Sequence, residues 1–210
     1  MKGVLPAICV ALLSAAPAAA ATITFDEVFV PPNGDVLGGD VISGGFVFDS
    51  SGDHLHRVNG GAAASNGTTT LGIHEFPGFN NIVTIRPLAG GLFSLNAIDF
   101  GEWLGSTPHT NIQITGVGGS NPSTSFTLDG FMDGPGGGPD FQTLTFDATW
   151  SNLTSVTLNG VGGPLDVNGQ PLGSFVLDNV VVNTEVPEPA SLVLLGTGLA
   201  AVVRRRLRRR

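Results

Sequence analysis

Hydrophobic and polar residues alternate along most of the chain. Thr22–Glu27, Phe46–Phe48, Asn81–Arg86, Asn111–Thr115, Ser123–Leu128, Phe141–Phe146, Leu153–Leu158 and Gly173–Val182 are short runs with a period of two. Side chains on a strand point alternately to opposite faces, so each run predicts a strand with one dry and one wet face. Ile112 and Ile114 alternate with Gln113 and Thr115, and Phe126 and Leu128 flank Thr127. The wet faces carry Thr, Ser and Asn, which blunt a sheet surface without adding charge. Turn signals separate the runs, at Pro31–Gly34, Leu37–Asp40, Asn59–Gly61, Gly134–Pro139 and Asn159–Gly160. With no helical periodicity between residues 22 and 184, the pattern predicts an all-β antiparallel sandwich or barrel.

The two ends break this pattern. Met1 and Lys2 precede an apolar run from Val4 to Ala16, and Pro17–Ala21 offers small residues for signal peptidase, so residues 1–21 predict an export signal cut after Ala20 or Ala21. Cys9 lies in that segment behind Ile8, where a lipoprotein signal requires a small residue. The mature chain therefore contains no cysteine, and neither a disulfide, a thiolate metal site nor a cysteine nucleophile is open to it. At the other end, Val186-Pro187-Glu188-Pro189 is followed by an uncharged apolar stretch over residues 190–203 and then by arginines. At ~1.5 Å per residue the stretch is about 21 Å long, short for a bilayer core but extendable by snorkelling arginines. It predicts a short transmembrane helix whose basic tip stays cytoplasmic and whose body stands outside the inner membrane.

Motif, apolar stretch and arginine run, in that order, resemble the PEP-CTERM sorting signal of bacterial surface proteins. The resemblance covers residues 185–210 and implies recognition by an intramembrane processing enzyme, exosortase, in cells that make exopolysaccharide. The two prolines also have a physical reading. They hold Glu188 in an extended segment that cannot join the following helix, which presents the peptide to a protease at the membrane face.

Charge follows the same division. The overall balance is −8, yet six of the nine cations lie in the last seven residues and a seventh is Lys2. Between Thr22 and Val186 only Arg57 and Arg86 face 16 acids, a balance of −14. A field of that sign repels phosphate, which excludes nucleic acid as a partner of the body. Gly and Pro make up about a fifth of the chain, but 41% hydrophobic residues with 13 Phe supply a core.

Phe93–Phe100, Ile112–Gly116 and Phe175–Val182 resemble strands of the jelly-roll β-sandwich found in many PEP-CTERM proteins and in carbohydrate-binding modules. In such modules a structural calcium ties the first strand to the last. The resemblance implies Asp26, Glu27 and Asp178 as its ligands, and hard oxygen donors outside the cell suit calcium better than zinc. It also implies aromatic faces for stacking sugar rings. Tyr is absent, which leaves Trp103 and Trp150.

Enzymatic chemistry finds little footing: there is no Gly-x-Ser-x-Gly elbow, no His-Glu-x-x-His and no phosphate loop. The acids lie mostly in or beside turns, and no spacing singles out a glycosidase pair. Asp53, His54 and His56 offer two imidazoles on one side of a strand for a transition metal, but that is too few ligands for a site; His74-Glu75 and His109 stand alone. The acidic loops Asp129–Asp140 and Asp166–Gly169 lack the spacing of an EF-hand. The expectation is thus a non-enzymatic exported protein of the cell surface or extracellular matrix. A carbohydrate-binding module acting on exopolysaccharide is the alternative, and a secreted glycoside hydrolase a more distant one.

Overall fold

The computed structural model describes residues 20–50, 55–61, 63–74, 81–103, 109–131 and 140–184. The expected signal peptide before Ala20 and everything from Glu185 onward lie outside these residues. Thirteen strands are described: β1 (Ala20–Ile23), β2 (Gly34–Gly38), β3 (Val41–Ser43), β4 (Phe46–Asp49), β5 (Leu55–Asn59), β6 (Thr70–Ile73), β7 (Ile82–Pro87), β8 (Phe93–Glu102), β9 (Thr110–Gly118), β10 (Ser123–Thr127), β11 (Phe141–Thr145), β12 (Leu153–Gly162) and β13 (Phe175–Thr184). One 3-10 turn, Ala148–Trp150, lies between β11 and β12. The expected cut after Ala21 falls inside β1, where it removes two exposed residues and leaves Thr22 and Ile23 on their partners Val181 and Val180.

All strand pairs are antiparallel, and the ladder resolves into two sheets. The first runs β2-β5-β6-β13-β8-β11, and the second β3-β4-β7-β12-β9-β10; a single residue pair, Leu153 with Phe93, joins them. Their facing sides share one core. From the first sheet come Leu55, Leu71, Ile73, Phe93, Phe100, Phe175, Leu177 and Val180; from the second come Phe46, Phe48, Val83, Ile85, Ile112, Ile114, Val156 and Leu158. Phe46 meets Phe93 edge-on at 5.2 Å, and Phe100 stacks on Phe126 of β10 at 5.8 Å, so aromatic contacts bridge the layers. Each fully buried side chain of this size contributes roughly 1.5–3 kcal/mol. A body without disulfides is held by that packing, and the sandwich-like all-β expectation holds.

Some local readings fail. Asn159-Gly160, read as a turn, lies within β12, and its Gly160 pairs with Ile112. Strands β2, β3, β5 and β6 were not legible as alternating runs, because three of the four are buried or exposed on both faces for much of their length. The turn read at Gly134–Pro139 lies outside the described residues.

The strand that shapes the candidate site is β13. On one side β8 follows it throughout. On the other side it pairs first with β6, at Phe175–Leu177, and then with β1, at Val180–Asn183. Between the two neighbours the strand bulges, with Asn179 in the left-handed region at φ 47°. Asp178 sits in the gap.

Candidate functional site

Asp178 is 1% exposed. Its Oδ1 accepts the backbone N–H of Asn179 at 2.8 Å, and its Oδ2 accepts Asn66 Nδ2 at 2.9 Å and the Thr68 hydroxyl at 3.4 Å. Asn66 and Thr68 come from the segment that leads into β6. Asp26, three residues beyond β1, reaches the same segment by accepting the Thr69 N–H at 3.1 Å. Asp99, opposite Asp178 on β8, accepts Asn179 Nδ2 at 3.0 Å and the Thr143 hydroxyl at 2.6 Å. Burial pushes the Asp178 carboxyl above the usual carboxylate range; the bonds from Asn66 and Asn179 oppose this, and the charges of Asp26 and Asp99 add to it. Glu27 is elsewhere: its Oε1 accepts the Ser43 hydroxyl at 2.7 Å and the Gly44 N–H at 3.3 Å. Of the three expected calcium ligands, the fold brings two to one gap and sends the third to the β3–β4 turn. Among the described residues no three His, Cys, Asp or Glu side chains gather round one point.

Trp103 lies on the outer face of the first sheet and is 7% exposed. Gly72 of β6 is the hollow beneath it, since a Cβ there would lie 2.8 Å from Trp103 Cε3. His74 stacks on the indole at 4.9 Å, nearly parallel, and His56 meets its edge at 5.1 Å. Val58, Ala63, Ala64 and Val176 complete a small second core there. Asp35 fixes His56 through Nδ1 at 2.9 Å, and Ser174 fixes His74 through Nδ1 at 2.9 Å. The His74 imidazole titrates below its usual range because of burial and then the neighbouring His56, with Asp35 opposing. Trp103 packs within this small core, with His74 against one face of its ring and His56 at its edge. Asp53 and His54, which with His56 are too few ligands for a transition-metal site, lie outside the described residues.

Trp150 is 5% exposed and joins the main core, so it too is largely covered. It forms one wall of a cleft of about 280 Å³, packed against Phe146 at 4.7 Å. Strand β11 follows β8 as far as Ala97, the Phe146 N–H still bonds the Asn96 carbonyl at 2.9 Å, and the cleft lies between the 3-10 turn and Ser94, Asn96 and Asn183. Asp147 caps the turn by accepting the Thr149 N–H at 2.9 Å, and its bonds from the Thr149 hydroxyl and N–H hold it below the usual carboxylate range. Asn183 Oδ1 is buried without a hydrogen-bond partner.

One acid escaped the sequence reading. Glu102 ends β8 two residues beyond Phe100, and that parity directs it inward. It is 3% exposed; Oε1 accepts the Gly130 N–H at 3.2 Å, and Oε2 is buried with no partner. Burial raises its carboxyl to about 7; its own N–H and that of Gly130 oppose the rise, and the charge and hydrogen bonding of Asp129 add to it. The step from Ile98 to Phe100, taken once more, reaches Glu102, whereas the parity of Phe93 and Leu95 leads to Gly101, because the register shifts after Leu95.

Comparison with known proteins bears on the end of the chain. The chain carries a PEP-CTERM protein-sorting motif at residues 185–210. The PEP-CTERM match contains Val186, Pro187, Glu188 and Pro189 together with residues 190–203 and the arginine run, and it begins where β13 ends. No curated protein matches the chain in sequence. In fold, the body is similar to a DUF4465 family protein from Bacteroides caccae ATCC 43185, with a TM-score of 0.51 and 10% identity over 80% of this chain and 100% of that one. A mutant of the family 29 carbohydrate-binding module CBM29-2 aligns with a TM-score of 0.30 and 12% identity, over 80% of this chain and 92% of that one. At such identities the likeness is one of fold alone. Among the described residues no helix is long and apolar enough to cross a membrane.

Proposed function

We propose that this is a non-enzymatic protein of the cell surface or extracellular matrix, exported through residues 1–21 and delivered by its PEP-CTERM motif. The observation that carries the reading is the motif at residues 185–210. Residues 190–203 hold the chain in the inner membrane with the arginines inside, the body folds outside, and an exosortase-type enzyme acts at the extended Val186–Pro189 segment. The basic tip is then a routing label. Its removal leaves a body carrying two cations against some 16 acids, soluble and drawn to cations in its surroundings. Intact-mass analysis of the surface-localised protein is expected to show loss of the residues that follow the Pro-Glu-Pro segment, together with the signal peptide. A mature form still carrying Arg210 rules out the processing.

Exopolysaccharide is the partner this reading points to, and the Trp150 cleft favours a binding role. The Asn96 and Asn183 amides, Asp147 and two serine hydroxyls, beside the largely covered Phe146–Trp150 pair, suit a neutral sugar unit. In a Trp103→Phe background, oligosaccharides released from the cell's own exopolysaccharide are expected to shift Trp150 emission saturably. Asn183→Ala should weaken binding about 10-fold, the equivalent of one good hydrogen bond. A shift that does not saturate, or one indifferent to Asn183, removes the reading. A structural calcium at Asp26 and Asp178 belongs to the same proposal, supported by the pairing of β1 with β13 beside them and by the mutual repulsion of their carboxylates.

A further inference from the structure

Glu102 poses a different electrostatic problem from Asp178. Asp178 has hydrogen-bond donors on both oxygens. Glu102 has one donor, the Gly130 N–H, and its other oxygen is enclosed without a partner. Asp129 immediately precedes the Gly130 that bonds Glu102, and its charge acts on the Glu102 carboxyl, but two carboxylates are both acceptors and cannot bond without something between them. Asp129 already uses Oδ1 to accept the Phe131 N–H at 2.9 Å. The His109 imidazole spends Nδ1 on the Leu128 carbonyl at 3.0 Å. The body has two arginines: Arg86 lies against Asp49 at 3.9 Å, Arg57 lies on β5, and among the described residues no ion pair reaches Glu102. A buried carboxylate with a single donor and no counter-charge costs several kcal/mol, so a proton or a cation must neutralise it.

We infer that Glu102 and Asp129 bind a hard divalent cation, calcium, between Glu102 Oε2 and the solvent-exposed carboxylate of Asp129. Oxygen-only donors select calcium over softer metals, and exposure of Asp129 gives the ion its way in while water completes the shell. With two protein carboxylates the site is a weak one, in the roughly 10⁻⁴–10⁻³ M range of extracellular calcium modules. The site is distinct from the gap at Asp26 and Asp178, and it does not depend on sugar binding or on sorting.

The test is calcium titration of the full chain in detergent at pH 8, by calorimetry and by thermal melting, in an Asp178→Asn background that silences the other gap. One calcium equivalent and a rise in melting midpoint are expected there, and both should vanish on adding Glu102→Gln, which keeps the shape of the side chain and the Gly130 bond. Wild type against Asp178→Asn reports the other gap separately. If the Asp178→Asn protein takes up no calcium the inference is overturned, and a midpoint that Glu102→Gln then raises at pH 8 assigns the neutralisation to a proton alone. Calcium uptake that survives Glu102→Gln overturns it equally, by placing the ion elsewhere.

Discussion

Replacing Gly160 with alanine is expected to destabilise the body by about 4 kcal/mol or more, within reach of the whole stability of a domain. Gly160 lies inside β12 and donates its N–H to the Asn81 carbonyl at 2.9 Å. A Cβ there would overlap the Gly173 carbonyl oxygen, with Gly173 C at 2.9 Å and Phe175 Cδ1 at 3.0 Å. The obstacle is backbone, so no rotamer change relieves it. Gly173 in turn adopts φ 59°, is bonded through its N–H to Gly162 at 2.8 Å, and leads directly into β13. The variant must therefore push the entry of β13 off the second sheet, and β13 is the strand that carries Asp178 and pairs with β1, β6 and β8. Urea unfolding and thermal melting of the full chain are the measurements. Gly39→Ala, with open space around the new methyl and no special backbone angle, should stay within about 0.5 kcal/mol of wild type. A Gly160→Ala protein as stable as Gly39→Ala would show that the two backbones do not touch as described.

Asp178→Ala is expected to cost about 2 kcal/mol, because the Asn66 amide and the Asn179 N–H lose their acceptor in a buried place. The cost should depend on pH, and the direction follows from the raised carboxyl. Burial, Asp26 and Asp99 make ionised Asp178 less favourable in the folded protein than in the unfolded chain. Its contribution is therefore greatest below the ordinary carboxylate range and declines as pH rises through the interval up to its raised value. The gap in stability between wild type and variant should be wider at pH 4 than at pH 8 in chelator. A gap that widens with pH contradicts the assignment, because that is the behaviour of an acid stabilised in its charged form.

The alternation of residues was enough to predict an all-β body, and eight runs read from it fall on or overlap strands. It was not enough for β2 or β6: Val36 and Leu37 of β2 are both exposed, and all four residues of β6 are buried. A strand covered on both faces has no wet side to alternate with. The Asn-Gly signal at Gly160 misled for a related reason: glycine serves a turn and a close crossing equally well, and local sequence does not distinguish them. Asp26 and Asp178 were legible as members of the first and last strand regions, whereas Glu27 was not separable from its neighbour, since only the turn after Ile23 decides where each side chain points. Glu102 was hidden because acids near turns are ordinary on a surface, and only the parity of β8 put this one inside.

By itself the sequence determined the β-class of the body, its division into an acidic domain with two cations and a basic tip, and the PEP-CTERM sorting motif at residues 185–210. These are local or additive properties, carried by neighbouring residues or by sums of charge. Only the tertiary structure decided that both tryptophans are covered, that Asp178 faces a gap between two partners of one strand, and that Glu102 is enclosed beside Asp129. Each of these depends on which strands become neighbours across long stretches of chain. A period of two states which face a side chain takes and says nothing of what lies opposite.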